Sequence, residues 1–181
     1  MIYNSIVKGR FISRPNRFIA YAEIDGKEEI CHVKNTGRCR ELLIPEADII
    51  LEISDNPNRK TKFDLISVYK NGRLINIDSQ APNKIAAELL PKLFPDYIIK
   101  PEQKYKNSRF DFYLESANKR AFAEVKGVTL ENENIVMFPD APTERGVKHI
   151  NELIQAAENG FDAYISVSYT HLRAHETDQY L

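Results

Sequence analysis

Arg109-Phe110-Asp111-Phe112-Tyr113-Leu114, then Ala117-Asn118, then Arg120-Ala121-Phe122-Ala123-Glu124-Val125-Lys126 is the stretch on which the reading of this chain turns. Both halves alternate with the two-residue period of a strand. In the first, Phe110, Phe112 and Leu114 share one face and Asp111 lies on the other; in the second, Ala121, Ala123 and Val125 point inward while Glu124 and Lys126 lie together opposite. With a two- or four-residue loop centred on Ala117-Asn118, antiparallel pairing sets Asp111 directly across from Glu124.

Facing Cβ atoms in such a pair are about 4.5–5.5 Å apart, and two carboxylates there repel by about 3 kcal/mol at an effective dielectric of about 20. A hard divalent cation such as Mg²⁺ removes that repulsion and keeps waters for a phosphate substrate. Asp111 and Glu124 are therefore the candidate metal ligands. Lys126 lies beside them, placed to orient or deprotonate an attacking water and to offset phosphate charge. The same residues also fit a plain solvated strand, on which Glu-x-Lys is common. A three-residue turn would send Asp111 to the other face and dissolve the group.

The chain has 181 residues, 43% of them hydrophobic, enough for one ordinary domain or two small ones. It holds no apolar run of the roughly 18 residues that a membrane helix needs, and its first residues lack the pattern of a signal peptide. The expectation is a soluble cytoplasmic protein. Cys31 and Cys39 have the spacing of neither a zinc site nor a disulfide framework, so both are expected reduced and packed.

A net charge of −1 does not announce a nucleic-acid binder. The charge is uneven, however: residues 1–80 hold 13 Lys and Arg against 11 Asp and Glu, and the remainder hold 12 against 15. Lys34, Arg38 and Arg40 with Arg59, Lys60 and Lys62 could form one basic face for DNA, although such groups are often only solvated surface.

Residues 1–80 read as strands punctuated by turns. Asp25-Gly26 and Asn71-Gly72 are hairpin signals, because their residues tolerate the positive φ of a type I′ turn. They separate strands at 17–24 and 27–34, and at 63–70 and 73–78; further strands fit 5–12 and 47–54. Five or six short strands make a small barrel. Residues 35–43 are helix-capable and fall between two of those strands, as in an OB-type barrel. The remainder changes character. Asn83 caps an expected helix over 84–94 with Ile85, Leu89, Leu90 and Leu93 on a stripe. The hairpin follows, then a strand over 128–138. A helix begins at Asp140 or Thr143, with Val147, Ile150, Leu153, Ile154 and Ala157 on a stripe, and Gly160 ends it before a buried strand at 161–167.

Six ordered motifs carry a family resemblance: His32-Val33-Lys34-Asn35-Thr36-Gly37-Arg38, Ser54-Asp55-Asn56-Pro57, Ala81-Pro82-Asn83, Ser108-Arg109-Phe110-Asp111-Phe112, Glu124-Val125-Lys126, and the stretch from Phe138-Pro139-Asp140 to Lys148-His149. Over residues 1 to about 167 the chain resembles the sugar fermentation stimulation protein A family of prokaryotes. The resemblance implies an α+β protein of two domains: an OB-like DNA-binding barrel over 1–80 and a nuclease-like α/β domain of the PD-(D/E)XK kind over 81–167. It makes Asp111 the first acidic ligand, Glu124 the second and Lys126 the catalytic lysine. Glu102 stands where many such nucleases place a further acid. Arg145 and Lys148, near a helix start, could meet a phosphate, or Glu144 and Arg145 could form a structural ion pair. His149 borders the apolar stripe and reads as packed.

Residues 168–181 depart from the family and resemble a translated sequencing-adapter tail, which would leave the nuclease-like domain incomplete at its C-terminus. The leading functional expectation is a DNA-binding protein with a Mg²⁺-dependent phosphodiester-hydrolysing site. The alternatives are a non-catalytic DNA-binding regulator of sugar-metabolism genes and, furthest behind, a carbohydrate-binding OB module. Oligomeric state is not legible.

Overall fold

A computed structural model describes residues 1–35, 37–129, 131–132, 135–136, 144–169 and 171–173, with the backbone alone considered for 131–132, 135–136 and 171–173. The chain divides into two compact units, Ile2–Gln80 with the strand His171–Arg173, and Ala81–Tyr169.

In the first unit, β1 (Ile6–Ser13), β2 (Ile19–Ile24), β3 (Lys27–Val33), β4 (Asp48–Ile53), β5 (Phe63–Lys70) and β6 (Arg73–Asn76) fall close to the expected strands. Their pairing runs β5-β3-β2-β1-β4 and returns from β4 to β5, so five strands close on themselves with β6 added beside β5. Closure is what buries one face of each strand. Phe11, Ala20, Ala22, Cys31, Val33, Ile49, Leu51, Leu65 and Val68 fill the interior, which is the alternation of the sequence turned inward. This is the five-stranded topology of an OB barrel. Both hairpin turns are of the expected kind, with φ of 51° and 73° at Asp25-Gly26 and 51° and 74° at Asn71-Gly72. Burial pushes the Cys31 thiol up to about 12, which suits a packing role.

Residues 37–43 correct one expectation, since they make a single turn rather than a helix. Leu42 and Leu43 donate to the Cys39 carbonyl at 3.1 and 2.8 Å, and Cys39 itself sits at φ 46°, a conformation no helix can continue from. The loop is instead pinned from β1's end. Arg14 donates to the carbonyls of Gly37, Arg38, Arg17 and Asn35 at 2.6–2.9 Å.

The second unit holds α1 (Ala81–Leu93), β7 (Ile98–Tyr105), β8 (Ser108–Glu115), β9 (Arg120–Val128), the two-residue strands β10 (Glu131–Asn132) and β11 (Ile135–Val136), α2 (Glu144–Glu158) and β12 (Asp162–Tyr169). The sheet order is β12-β9-β8-β7, with β12 parallel to β9 and the rest antiparallel. A parallel neighbour needs a crossover, and α2 lies in it. Ala86 and Leu90 of α1 cover one cluster of sheet residues, Phe112, Leu114, Ala121, Ala123 and Val125. Leu153 and Ala156 of α2 cover another around Phe110 and Phe122. Helix α2 ends as expected at Gly160 (φ 83°), where Gly160 and Phe161 donate back to Ala157 and Ala156.

Four details differ from what the sequence alone suggests. Strand β7 is hidden by its polar composition and by Pro101, which an edge strand tolerates because one of its sides makes no ladder bonds. Of the expected strand over 128–138, the described residues include the end of β9 at Val128 and the antiparallel two-residue strands β10 and β11. The buried stripes are Pro82, Ala86 and Leu90 in α1 and His149, Glu152, Leu153 and Ala156 in α2, leaving Ile85, Leu89, Leu93, Val147 and Ile154 exposed. Lastly, β12 runs on to Tyr169, and the backbone of His171–Arg173 (β13) pairs with β6, although 168–181 reads as a tail foreign to the fold. Asp140 and Thr143, the expected starts of the second helix, lie outside the described residues. Along β12, Tyr164, Ile165, Val167 and Tyr169 are exposed, and among the described residues the strand's sheet neighbour is β9. No helix among the described residues is long and apolar enough to cross a membrane.

Candidate metal centre

The turn comes first, because it sets the register. Ser116 donates to the Lys119 carbonyl at 2.8 Å, leaving Ala117-Asn118 as a two-residue loop, and the ladder runs Glu115↔Arg120, Leu114↔Ala121, Tyr113↔Phe122, Phe112↔Ala123. The ladder ends there, one step short of Asp111 and Glu124. At that point strict alternation breaks. Phe110 packs with Phe122, Tyr105 and His149 on the α2 side instead of with Phe112 and Leu114. Asp111 sends a carboxylate oxygen, Oδ2, to the backbone N–H of Val125 at 2.7 Å. The carboxylate thus docks onto β9 between Glu124 and Lys126.

Helix α1 holds the other oxygen. Asn83, in the first turn, donates its amide to Oδ1 of Asp111 at 2.8 Å. Pro82 suits a helix start, where its missing N–H costs nothing. It rests on Gly127, whose want of a side chain lets the helix come this close: a Cβ there would be 2.7 Å from Pro82 Cγ.

Glu124 is only 3% exposed. Its Oε1 accepts from Lys126 Nζ at 2.5 Å and from His149 Nδ1 of α2 at 2.7 Å. A carboxylate can only accept, so Nδ1 carries the hydrogen. Its other oxygen, Oε2, is buried and has no hydrogen-bond partner among the described residues. Leaving such an atom unsatisfied costs about 1–3 kcal/mol or more. A cation would satisfy it. Among the described residues no group of three or more His, Cys, Asp or Glu side chains is gathered as metal ligands. Two carboxylates are the donor set Mg²⁺ accepts, since it fills its remaining positions with water and substrate oxygens.

Two members of this group escape a reading of the sequence. Asn83 reads as a cap, yet it lies inside the helix and serves Asp111; His149 reads as packed, which its burial and its 6.3 Å edge contact with Phe110 agree with, but its Nδ1 is bound to Glu124. Buried Glu152 is not signalled either: its Oε2 has no partner among the described residues and its Oε1 is 4.0 Å from Lys148. Glu102 sits apart from this cluster of contacts, in an exposed 3.4 Å pair with Arg109.

The basic residues separate into two kinds. Lys34 is drawn into an acidic network, 3.1 Å from Asp64, 3.6 Å from Glu52 and 3.8 Å from Asp78, with its side chain 13% exposed. Arg59 grips Asp64 at 2.6 and 2.8 Å, and His32 Nδ1 lies 3.0 Å from the same carboxylate. Burial works to raise the Asp64 carboxyl, but hydrogen bonds from Arg59, Lys34 and His32 outweigh it and hold the group well below the usual carboxylate range. Arg38, Arg40, Lys60 and Lys62 are exposed or partly so. In the second unit Arg145 and Lys148 are exposed at the start of α2, and Lys148 donates to the Asn107 carbonyl at 3.1 Å.

Comparison with known proteins agrees with the two units. Residues 12–77 match the family model of the SfsA N-terminal OB domain, and residues 80–178 match that of the sugar fermentation stimulation protein RE domain. A sugar fermentation stimulation protein homolog of Clostridium beijerinckii is 64% identical over 168 residues, covering 91% of this chain and 74% of the relative. One from Desulfitobacterium hafniense is 61% identical over 167 residues, covering 91% and 73%. Among solved structures, Pyrococcus furiosus SfsA in complex with Ca²⁺ superposes with a TM-score of 0.79 at 31% identity, covering 92% of this chain and 74% of that one. With an OB barrel, a helix-flanked second sheet and both family domains matched in order, the chain belongs to the sugar fermentation stimulation protein (SfsA) family.

Proposed function

We propose that the protein binds DNA and hydrolyses phosphodiester bonds at a Mg²⁺-dependent site made by Asp111, Glu124 and Lys126. The observation that carries this reading is the buried Oε2 of Glu124, which lacks a partner among the described residues while the carboxylate of Asp111 is fastened to the very next backbone N–H. Asp111 and Glu124 would hold the ion. When bound, it would draw charge from the phosphate and make a coordinated water more acidic. That the Pyrococcus furiosus relative is a Ca²⁺ complex supports a hard-cation site.

The remaining work falls to the chain. Lys126, partly exposed, lies against Glu124 and is placed to orient a water and to offset charge developing on the phosphate oxygens. Arg38, Arg40 and Lys60 on the barrel supply sequence-independent contacts to DNA phosphates, as do Arg145 and Lys148 beside the second sheet. Lys34 and Arg59 act through the fold of that barrel, since Asp64 takes their charge.

The test is cleavage of single-stranded, double-stranded and branched DNA with Mg²⁺ or Mn²⁺, against a chelator control. Cleavage that needs the metal and disappears in Asp111→Asn is the expected result. DNA binding without cleavage by the wild type on any substrate would leave the other reading, a non-catalytic regulator of sugar-metabolism genes.

A further inference from the structure

The two carboxylates are each steadied by a side chain from a different helix. Asn83 of α1 donates to Asp111, and His149 of α2 donates to Glu124. Asn83 lies two residues inside α1, too far along to cap it, and spends its amide on Asp111. His149 is buried and occupies Oε1 of Glu124 together with Lys126, so the oxygen left over is Oε2.

We propose that Asn83 and His149 are positioning residues for a divalent cation: Asn83 fixes the rotation of the Asp111 carboxylate, and His149 holds Oε1 of Glu124 so that Oε2 faces the metal. The inference rests on the metal reading above. A carboxylate ligand that must be turned and held at the moment of binding loses rotational freedom then, whereas one already clamped does not. Partners that orient metal ligands in this way are typically worth about tenfold to a hundredfold in metal affinity. The alternative is that both bonds merely satisfy buried polar groups. In that case their loss would alter stability and leave metal affinity alone.

The experiment is calorimetric titration of the full chain with Mn²⁺, without DNA, on the wild type, Asp111→Asn, Asn83→Ala, His149→Gln and His149→Asn. Each variant is first checked for a cooperative thermal transition. Asn83→Ala raises helix propensity at its position, so a weakened site there cannot be ascribed to a melted helix. An Asn side chain puts its amide nitrogen where His carries Nδ1; Gln puts it nearer the place of Nε2. Expected are an affinity loss of about tenfold or more for Asn83→Ala and His149→Gln, and retention within about threefold for His149→Asn.

Wild-type affinity in both Asn83→Ala and His149→Gln overturns the positioning roles while a loss in Asp111→Asn leaves the metal reading standing. If His149→Asn is as weak as His149→Gln, the Nδ1 bond is not what matters and the role of His149 falls. If the wild type binds Mn²⁺ no better than Asp111→Asn, the metal reading fails and takes the proposal with it. Should His149→Gln not fold, the Asn83 arm decides by itself.

Discussion

Gly127 and Pro82 meet where a single methyl group cannot fit, a built Cβ on the glycine falling 2.7 Å from the proline's Cγ. The proline ring is rigid, so the relief must come from the whole first turn of α1. That turn carries Asn83. Gly127→Ala should therefore cost about 1–3 kcal/mol of stability through overpacking. It should also weaken Mn²⁺ binding, although residue 127 offers no side chain to a metal. Urea unfolding and metal titration on one variant check both, and unchanged stability would show that the helix yields freely.

Lys126 separates catalysis from binding. Replacing it with Ala or Met removes the amine but leaves Asp111 and Glu124 in place. Cleavage should fall on the order of a hundredfold or more, with DNA affinity little changed. Parallel measurement of single-turnover rates and of DNA affinity reads the two separately. A variant that cleaves like the wild type assigns the water to another group.

Salt dependence tests the barrel surface. Neutralising Arg38, Arg40 or Lys60 should weaken binding to most DNA sequences and flatten the slope of log affinity against log salt by about one unit for each phosphate the protein no longer neutralises. Lys34→Met should behave differently. Its charge is engaged by Asp64, Glu52 and Asp78, so the effect should appear in the unfolding midpoint while the salt slope holds. Equal slope changes for Lys34 and Arg38 would mean that the acidic network opens on DNA.

Acid should strike the same network. The Asp64 carboxyl is depressed in the folded protein, so its contribution is fully present above the unfolded-chain value of about 3.9 and is lost as pH falls from there toward the lower folded value. Wild-type stability should drop between about pH 4 and pH 2. Asp64→Asn should be less stable at neutral pH by about 3 kcal/mol, because Lys34 and Arg59 lose their buried partner, and its acid dependence should be shallower. Denaturant midpoints measured across that pH range decide it.

The barrel is legible in the sequence because its signals are local. Asp25-Gly26 and Asn71-Gly72 have few other uses, and strands with one buried face must alternate. The hairpin register is legible for the same reason, since a two-residue turn at Ala117-Asn118 leaves one pairing. What cannot be read is non-local. The sequence around Asn83 says cap and that around His149 says core; only the folding of α1 and α2 against the sheet shows that each meets a carboxylate. Lys34 and Arg59 look like a basic face because no periodicity reveals that Asp64 of β5 lies opposite both. Strand β7 is lost because an edge position relaxes the very rule, against interior proline, by which strands are recognised.

Strand β12 has a consequence for the bench. Among the described residues its outer side is a sheet edge, and Tyr164, Ile165 and Val167 are exposed along it, the profile on which a second β-strand can be templated. Loss of monomer on storage should then be of higher than first order in protein concentration, gaining cross-β signal in the infrared as it proceeds. A lysine at position 165 or 167 should slow it by putting charge on the growing edge.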